Sequence, residues 1–190
     1  MTSIELVWEG PFQFGTSSFQ DVPNEAAVYV WTVEVEDKHF VVYVGESSRL
    51  LSRWSDHLWW LLGGQYQVYD SEKLRRGEIE TIYGFKGAAE HLTNFTGDFA
   101  RAAFENAQIY RLWYALLPSP EFANRSNRMT VESAIHAQLA SFPELANKIT
   151  NGRRSVLSRN ASKIQCVNRW PDGINVAGLS SGQPFQYGER

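Results

Sequence analysis

Five side chains occur in an order that could support hydrolysis of a phosphate ester. Tyr29 and Tyr43 lie in short apolar runs, Arg53 and His57 follow four residues apart, and Glu132 comes much later. Phosphodiester hydrolysis needs an activated water, a group that binds the non-bridging oxygens and help for the departing alkoxide. Phenol, imidazole, guanidinium and carboxylate groups can fill these roles. The five residues are therefore candidate catalytic residues.

A predicted hairpin and helix would position the first four of them. Ala27 to Val35 and Phe40 to Val44 are apolar runs of high strand propensity, and the short polar break between them predicts an antiparallel hairpin. Ser48 to Leu62 has apolar residues at helical spacing. The hairpin would place the tyrosines on neighbouring strands, and the helix would place Arg53 and His57 on one face.

A later strand and helix are predicted to carry the carboxylate. Gln108 to Leu117 predicts a strand, and Met129 to Phe142 predicts an amphipathic helix. Glu132 falls just off the apolar stripe of that helix, so it would emerge at the seam where helix meets sheet. Gln65 to Glu90 predicts loops that leave room for a short strand or helix, and Ile164 to Val167 predicts a short strand.

This order of residues resembles the GIY-YIG nuclease superfamily, and its pattern is most similar to stand-alone restriction-endonuclease-like members. The family's first motif is similar to Ala27-Val28-Tyr29, and its second is similar to Tyr43-Val44-Gly45. By this resemblance the helix arginine of the family corresponds to Arg53 and the histidine of its restriction branches to His57. Glu132 corresponds to its metal-binding glutamate.

The resemblance leaves the family's asparagine with two candidates. Asn147 and Asn151 both follow the glutamate helix, and Asn151 is preferred because Asn151-Gly152-Arg153-Arg154 resembles the family's segment more closely. The chain departs from the family pattern at Ala27, which replaces a glycine, and in the long stretch 63–107.

The expected fold is α/β (α+β), with a central three-stranded, mainly antiparallel sheet flanked by helices. We expect a single domain over residues 1–190. Its core would span about 24–62 and 108–151, with an insertion at about 63–107 and a basic C-terminal segment at 145–171.

The distribution of charge bears on the partner. A formal net charge of -3 argues against a protein that coats nucleic acid unselectively. The stretch from Leu145 to Pro171 contains no acidic residue. Such a stretch could bind phosphates, and a solvated face is the alternative. The candidate nucleic-acid-binding residues are Lys148, Arg153, Arg154, Arg159 and Lys163.

The resemblance implies a metal-dependent endonuclease that hydrolyses DNA phosphodiester bonds. One Mg²⁺ or Mn²⁺ per active site would be held by Glu132. Which of Tyr29 and Tyr43 acts as the base stays open. Double-stranded DNA is the expected partner, and a symmetric duplex target would favour a homodimer. The alternative is a catalytically inactive module that binds nucleic acid or protein on the same scaffold.

Other features bear on compartment and packing. Cys166 is the single cysteine, and the sequence shows no secretory signal or long apolar run. We therefore predict a cytoplasmic protein without membrane contact. Trp59 and Trp60 are interpreted as core residues of the first helix, with stacking on bases as the alternative.

Overall fold

The computed structural model describes residues 2–84, 97–146 and 164–186. The strands are β1 (Thr2–Phe12), β2 (Ala27–Val35), β3 (Lys38–Ser47), β4 (Val68–Tyr69), β5 (Thr81–Tyr83), β6 (Arg111–Leu116), β7 (Ile164–Arg169) and β8 (Pro184–Gln186). The helices are α1 (Leu50–Leu62), α2 (Ser71–Arg75), α3 (Gly97–Ile109), α4 (Arg125–Ala140) and α5 (Pro143–Ala146). Short 3-10 turns occupy Ser17–Asp21 and Pro120–Ala123.

Six of the strands form one mixed, curled sheet that resembles a half-barrel. Their order is β3-β2-β6-β1-β7-β8, so β3 lies at one edge. β1 runs parallel to β7, and the other neighbouring strands pair antiparallel. β4 and β5 form a separate two-stranded sheet within the stretch expected to be an insertion.

The predicted three-stranded, mainly antiparallel sheet is wrong, because the sheet has six strands and a parallel pair near its centre. The N-terminal segment joins the sheet as β1. In that segment Leu6 and Trp8 are buried, whereas Glu5 and Val7 are exposed. This period of two is the pattern of a strand with one face on the core. The prediction of three strands counted the hairpin strands β2 and β3 and the later strand β6, and it did not include β1.

Helices cover both faces of the six-stranded sheet. On one face, Val131 and Ile135 of α4 pack with Val30 and Trp113 of the sheet. On the other face, α1 and α3 pack against the aromatic side chains of β2, with Trp54 fully buried. Full burial of a large apolar side chain contributes about 1.5–3 kcal/mol. The two cores therefore fix α1 and α4 on opposite faces of the hairpin.

The remaining predicted elements are confirmed with shifted ends. β2 has the limits that the sequence predicted, and α1 begins two residues later than predicted. β6 begins later because α3 continues to Ile109. α4 begins at Arg125, earlier than the predicted start at Met129. The side chain of Asn124 caps this end of the helix by accepting a hydrogen bond from the Ser126 amide. Within the described ranges, no helix has the length and apolar character needed to cross a bilayer.

Candidate active site

A pocket of about 470 Å³ lies at the β3 edge of the sheet. Tyr29 and Tyr43 line it from the hairpin, Arg53 from α1 and Glu132 from α4. Four of the five candidate catalytic residues therefore converge on one concave surface, although they come from distant parts of the chain. A volume of this size is typical of small-ligand pockets.

The hairpin register brings the two phenols together. Tyr29 is paired with Gly45 across β2 and β3, and Trp31 is paired with Tyr43. The rings of Tyr29 and Tyr43 stack with their centroids 6.2 Å apart. Gly45 lets the Tyr29 ring cross directly over the β3 backbone, because a Cβ at this position would overlap the ring and its hydroxyl. The glycine of the second motif thus makes room for the tyrosine of the first.

His57 lies behind Tyr29 in the fully buried side of α1. Its Nε2 is 2.7 Å from the Tyr29 hydroxyl, and its Nδ1 is 2.6 Å from the Tyr66 hydroxyl. Burial, and then the positive charge of Arg53, lower the pKa of His57 to about 2. The imidazole is therefore neutral near pH 7. It does not line the pocket, but both tyrosines that it contacts, Tyr29 and Tyr66, do.

Arg53 is held over an aromatic surface rather than by a carboxylate. Its guanidinium carbon lies 4.7 Å from the ring centroid of Trp60, the distance of a cation–π contact. Its charge opposes the rise in the pKa of Tyr29 and of Tyr43, the two phenols beside it in the pocket. No carboxylate in the described ranges lies within ion-pair distance of it. Its charge is therefore available to an anion that enters the pocket.

Burial raises the pKa of both phenols. The pKa of Tyr29 lies well above its ordinary value of 10.0, because burial and the neighbouring Tyr43 disfavour the phenolate and outweigh the opposing effect of Arg53. The pKa of Tyr43 is raised mainly by burial. Both tyrosines are therefore neutral in the folded protein near pH 7. A phenol of this kind can take up a proton only while it gives up its own.

Glu132 presents a half-buried carboxylate to the pocket. Burial, and then the charge of Glu46, raise its pKa to about 7. Among the described side chains none donates a hydrogen bond to it, whereas Glu46 accepts from Arg128 at 2.7 Å and from Arg125 at 3.3 Å. An ionised carboxylate without a protein donor is stabilised by a cation.

These features of Glu132 fit the single divalent ion that the family resemblance implies, since Mg²⁺ commonly binds one or two carboxylates and keeps several waters. The described residues contain no group of three or more His, Cys, Asp or Glu side chains placed to hold a metal. A metal held in this pocket would therefore depend mainly on Glu132 and on water.

The other predicted site residues fall outside the described ranges. These are Asn151, its alternative Asn147, and the basic residues Lys148, Arg153, Arg154, Arg159 and Lys163. The interpretation of Trp59 as a core residue is wrong, because Trp59 is 74% exposed. Trp60 is half-buried and lines the pocket beneath Arg53.

Glu46, Tyr66 and His136 are among the pocket residues that were not selected from the sequence. Glu46 directly follows the glycine of the second motif, and Tyr66 follows the glycine stop of α1, where the chain turns back toward the hairpin. His136 lies one helical turn after Glu132, and burial lowers its pKa to about 4. The position of Glu46 beside a motif and the i+4 spacing of His136 were visible in the sequence. Tyr66 carried no comparable signal.

Comparison with known proteins adds no relative to this geometry. No family model, no curated protein and no solved structure matches the chain. The resemblance to GIY-YIG nucleases therefore rests on the motif residues of the sequence alone.

Proposed function

We propose that this protein is a metal-dependent endonuclease of GIY-YIG type that hydrolyses DNA phosphodiester bonds. The observation that supports this most directly is the convergence on one pocket of two phenols, a carboxylate and a guanidinium that has no ion-pair partner in the described part of the chain. These groups have the chemistry that phosphodiester hydrolysis needs, and each comes from the element that the motif order assigned to it.

Arg53 would bind the non-bridging oxygens of the scissile phosphate. Its planar guanidinium suits two phosphate oxygens, and its stacking on Trp60 holds that plane at the pocket wall. Because it has no carboxylate partner among the described residues, it loses no ion pair when the phosphate enters. The same charge would stabilise the negative charge that develops during attack.

Tyr29 would act as the base for the attacking water through a coupled transfer. It would accept the proton of the water while its own hydroxyl proton moves toward Nε2 of His57, which lies 2.7 Å away. The water oxygen would form the new bond to phosphorus as the bond to the departing sugar oxygen breaks. Tyr29 has the direct contact with His57, so we assign the base to Tyr29 and a supporting role to Tyr43.

Glu132 would hold a divalent cation, Mg²⁺ or Mn²⁺. When bound, such an ion supplies charge neutralisation at the phosphate and at the leaving oxygen. Occupation of the site would favour ionised Glu132 and offset the burial that now raises its pKa.

The proposed substrate is double-stranded DNA inside the cell. The basic residues between Lys148 and Lys163 would add phosphate contacts. Because one active site cuts one strand, cleavage of both strands at a symmetric target would be carried out by a homodimer.

The test is a cleavage assay on plasmid and oligonucleotide duplexes with and without Mg²⁺ or Mn²⁺, comparing wild type with Glu132→Gln. The matched control is Glu121→Gln, which removes the same charge from an exposed position outside the pocket. We expect metal-dependent cutting by wild type and control, and a loss of about a hundredfold or more in Glu132→Gln. Cutting that is independent of metal and equal in all three proteins would refute the proposal.

A second candidate is a module that binds nucleic acid or protein without cutting. The raised pKa of both tyrosines favours it, because less of the phenolate, which is the basic form, is present near pH 7. The replacement of the motif glycine by Ala27 does not favour the inactive module, since Ala27 pairs regularly with Ser47 and Leu116 in the sheet. Binding of duplex without cleavage at any metal concentration would select this candidate.

A further inference from the structure

Two phenols contact opposite nitrogens of the same buried imidazole. The Tyr29 hydroxyl lies 2.7 Å from Nε2 of His57, and the Tyr66 hydroxyl lies 2.6 Å from Nδ1. Tyr29 is buried, whereas Tyr66 is half-buried and lines the pocket. Tyr66 belongs to neither tyrosine motif.

The protonation state of His57 makes these two contacts unequal. A neutral imidazole has one N–H donor and one bare nitrogen acceptor. If the proton is on Nδ1, His57 donates to Tyr66 and accepts from Tyr29. If it is on Nε2, His57 donates to Tyr29 and cannot take a proton from it. Only the first tautomer supports the transfer assigned to Tyr29.

The surroundings of Tyr66 favour the first tautomer. Tyr66 lines the pocket, where its hydroxyl can donate its proton to water. Its oxygen is then left to accept the Nδ1 proton of His57, which lies 2.6 Å away. The tautomer of a histidine is commonly fixed in this way by the partner of its second nitrogen.

We propose that Tyr66 is a positioning residue that keeps the proton of His57 on Nδ1 and receives that proton when Tyr29 transfers its own to Nε2. The inference rests on the proposed function for its role in catalysis, but the tautomer is a property of the protein itself. The chain of donors runs from Tyr29 through His57 to Tyr66.

The proton transfers along this chain balance. The attacking water gives a proton to the Tyr29 oxygen, the Tyr29 proton goes to Nε2, and the Nδ1 proton goes to the Tyr66 oxygen. Tyr66 releases its own hydroxyl proton to water in the pocket that it lines. Each group gains one proton and loses one, so His57 stays neutral, as its lowered pKa requires. Reverse transfer between waters at the two ends restores the starting tautomer after the products leave.

The direct test is the ¹⁵N NMR spectrum of the histidine side chains in wild type, Tyr66→Phe and a matched control. The control is Tyr83→Phe, which removes a hydroxyl from β5, outside the pocket. The ¹⁵N signals of His57 are identified as those missing from the spectrum of His57→Gln. We expect a protonated Nδ1 and a bare Nε2 in wild type and control, and a shift toward the Nε2-protonated tautomer in Tyr66→Phe. A wild-type proton on Nε2, or an unchanged tautomer in Tyr66→Phe, would overturn the inference.

The kinetic arm separates positioning from binding. Because Arg53 and Glu132 are untouched, Tyr66→Phe should lower kcat by about ten- to a hundredfold with KM unchanged. A rise in KM at constant kcat would overturn the positioning role. If the wild type cuts no DNA, the proposed function fails by itself, and the NMR experiment still decides whether Tyr66 fixes the tautomer.

Discussion

Gly45→Ala is the substitution that tests most sharply how the pocket is built. Gly45 faces Tyr29 across the hairpin, and a Cβ built on it would overlap the phenol carbon and hydroxyl and lie 2.8 Å from Cε2. Carbon atoms in favourable contact are separated by about 3.5–4.0 Å. The Tyr29 ring would therefore have to retreat by about 1 Å.

The surroundings of Tyr29 resist that retreat. The ring is 1% exposed, with Tyr43 stacked on it and Trp54 meeting it edge to face. Overpacking of this kind costs about 1–3 kcal/mol in unfolding free energy. A shift of about 1 Å would also lengthen the 2.7 Å contact with His57 beyond hydrogen-bonding distance, and misplacement on that scale can lower a rate about a hundredfold.

The assay pairs urea denaturation with DNA cleavage, and Gly84→Ala is the control. A Cβ added at Gly84 meets nothing within 4 Å, so this variant changes the residue type without a collision. In a Tyr29→Ala background, Gly45→Ala should lose most of its cost, because the ring it strikes is gone. Equal stability of Gly45→Ala and Gly84→Ala, or an undiminished cost in that background, would refute the reasoning.

Three further predictions concern ionisation and buried hydrogen bonds. The pKa of Glu132 is raised to about 7, so its proton stabilises the fold at low pH and this contribution is lost as pH rises through 7. In metal-free buffer at pH 8, Glu132→Gln should be about 1–3 kcal/mol more stable than wild type by urea denaturation, and Mg²⁺ should raise the Tm of wild type alone. The pKa of His57 is lowered to about 2, so the unfolded chain binds its proton below pH 6.5 and wild-type stability falls there. Between pH 4 and 6, the free energy of unfolding should change with pH by about 1.4 kcal/mol per pH unit less in His57→Gln than in wild type. Equal slopes in the two proteins would contradict a neutral imidazole at position 57. Asn106 exchanges two 2.8 Å hydrogen bonds with the Tyr69 backbone, so Asn106→Ala should cost about 1–3 kcal/mol by urea denaturation, and a cost within error of zero would contradict this account.

The sequence predicted the candidate site better than the sheet that carries it. Tyr29, Tyr43, Arg53 and Glu132 were grouped by their order in the sequence and by the family resemblance, and all four line one pocket. Helical spacing put His57 on the same face as Arg53, at the seam of helix and sheet, whereas His57 is fully buried behind Tyr29. Local periodicity predicts which face of its own element a side chain occupies, but not which distant element it meets.

The full sheet could not be predicted, because its pairing is not local. β1 has a clear alternating pattern, but nothing in that pattern says that its neighbours are β6 and a parallel β7. Tyr66 was missed for a related reason. It reaches His57 only because the chain reverses after α1, and that reversal depends on packing between segments rather than on the residues at Tyr66 itself.

The parallel pairing of β1 with β7 has a consequence for biosynthesis. Thr2 is aligned with Ile164, so two strands that are far apart in the sequence are neighbours near the middle of the sheet. Non-local pairing of this kind slows folding, since a long loop must close before the contact forms. During synthesis one side of β1 stays without its partner until β7 has emerged, and an open strand edge is a template for aggregation. Nascent chains should therefore depend on chaperones more than the finished protein does.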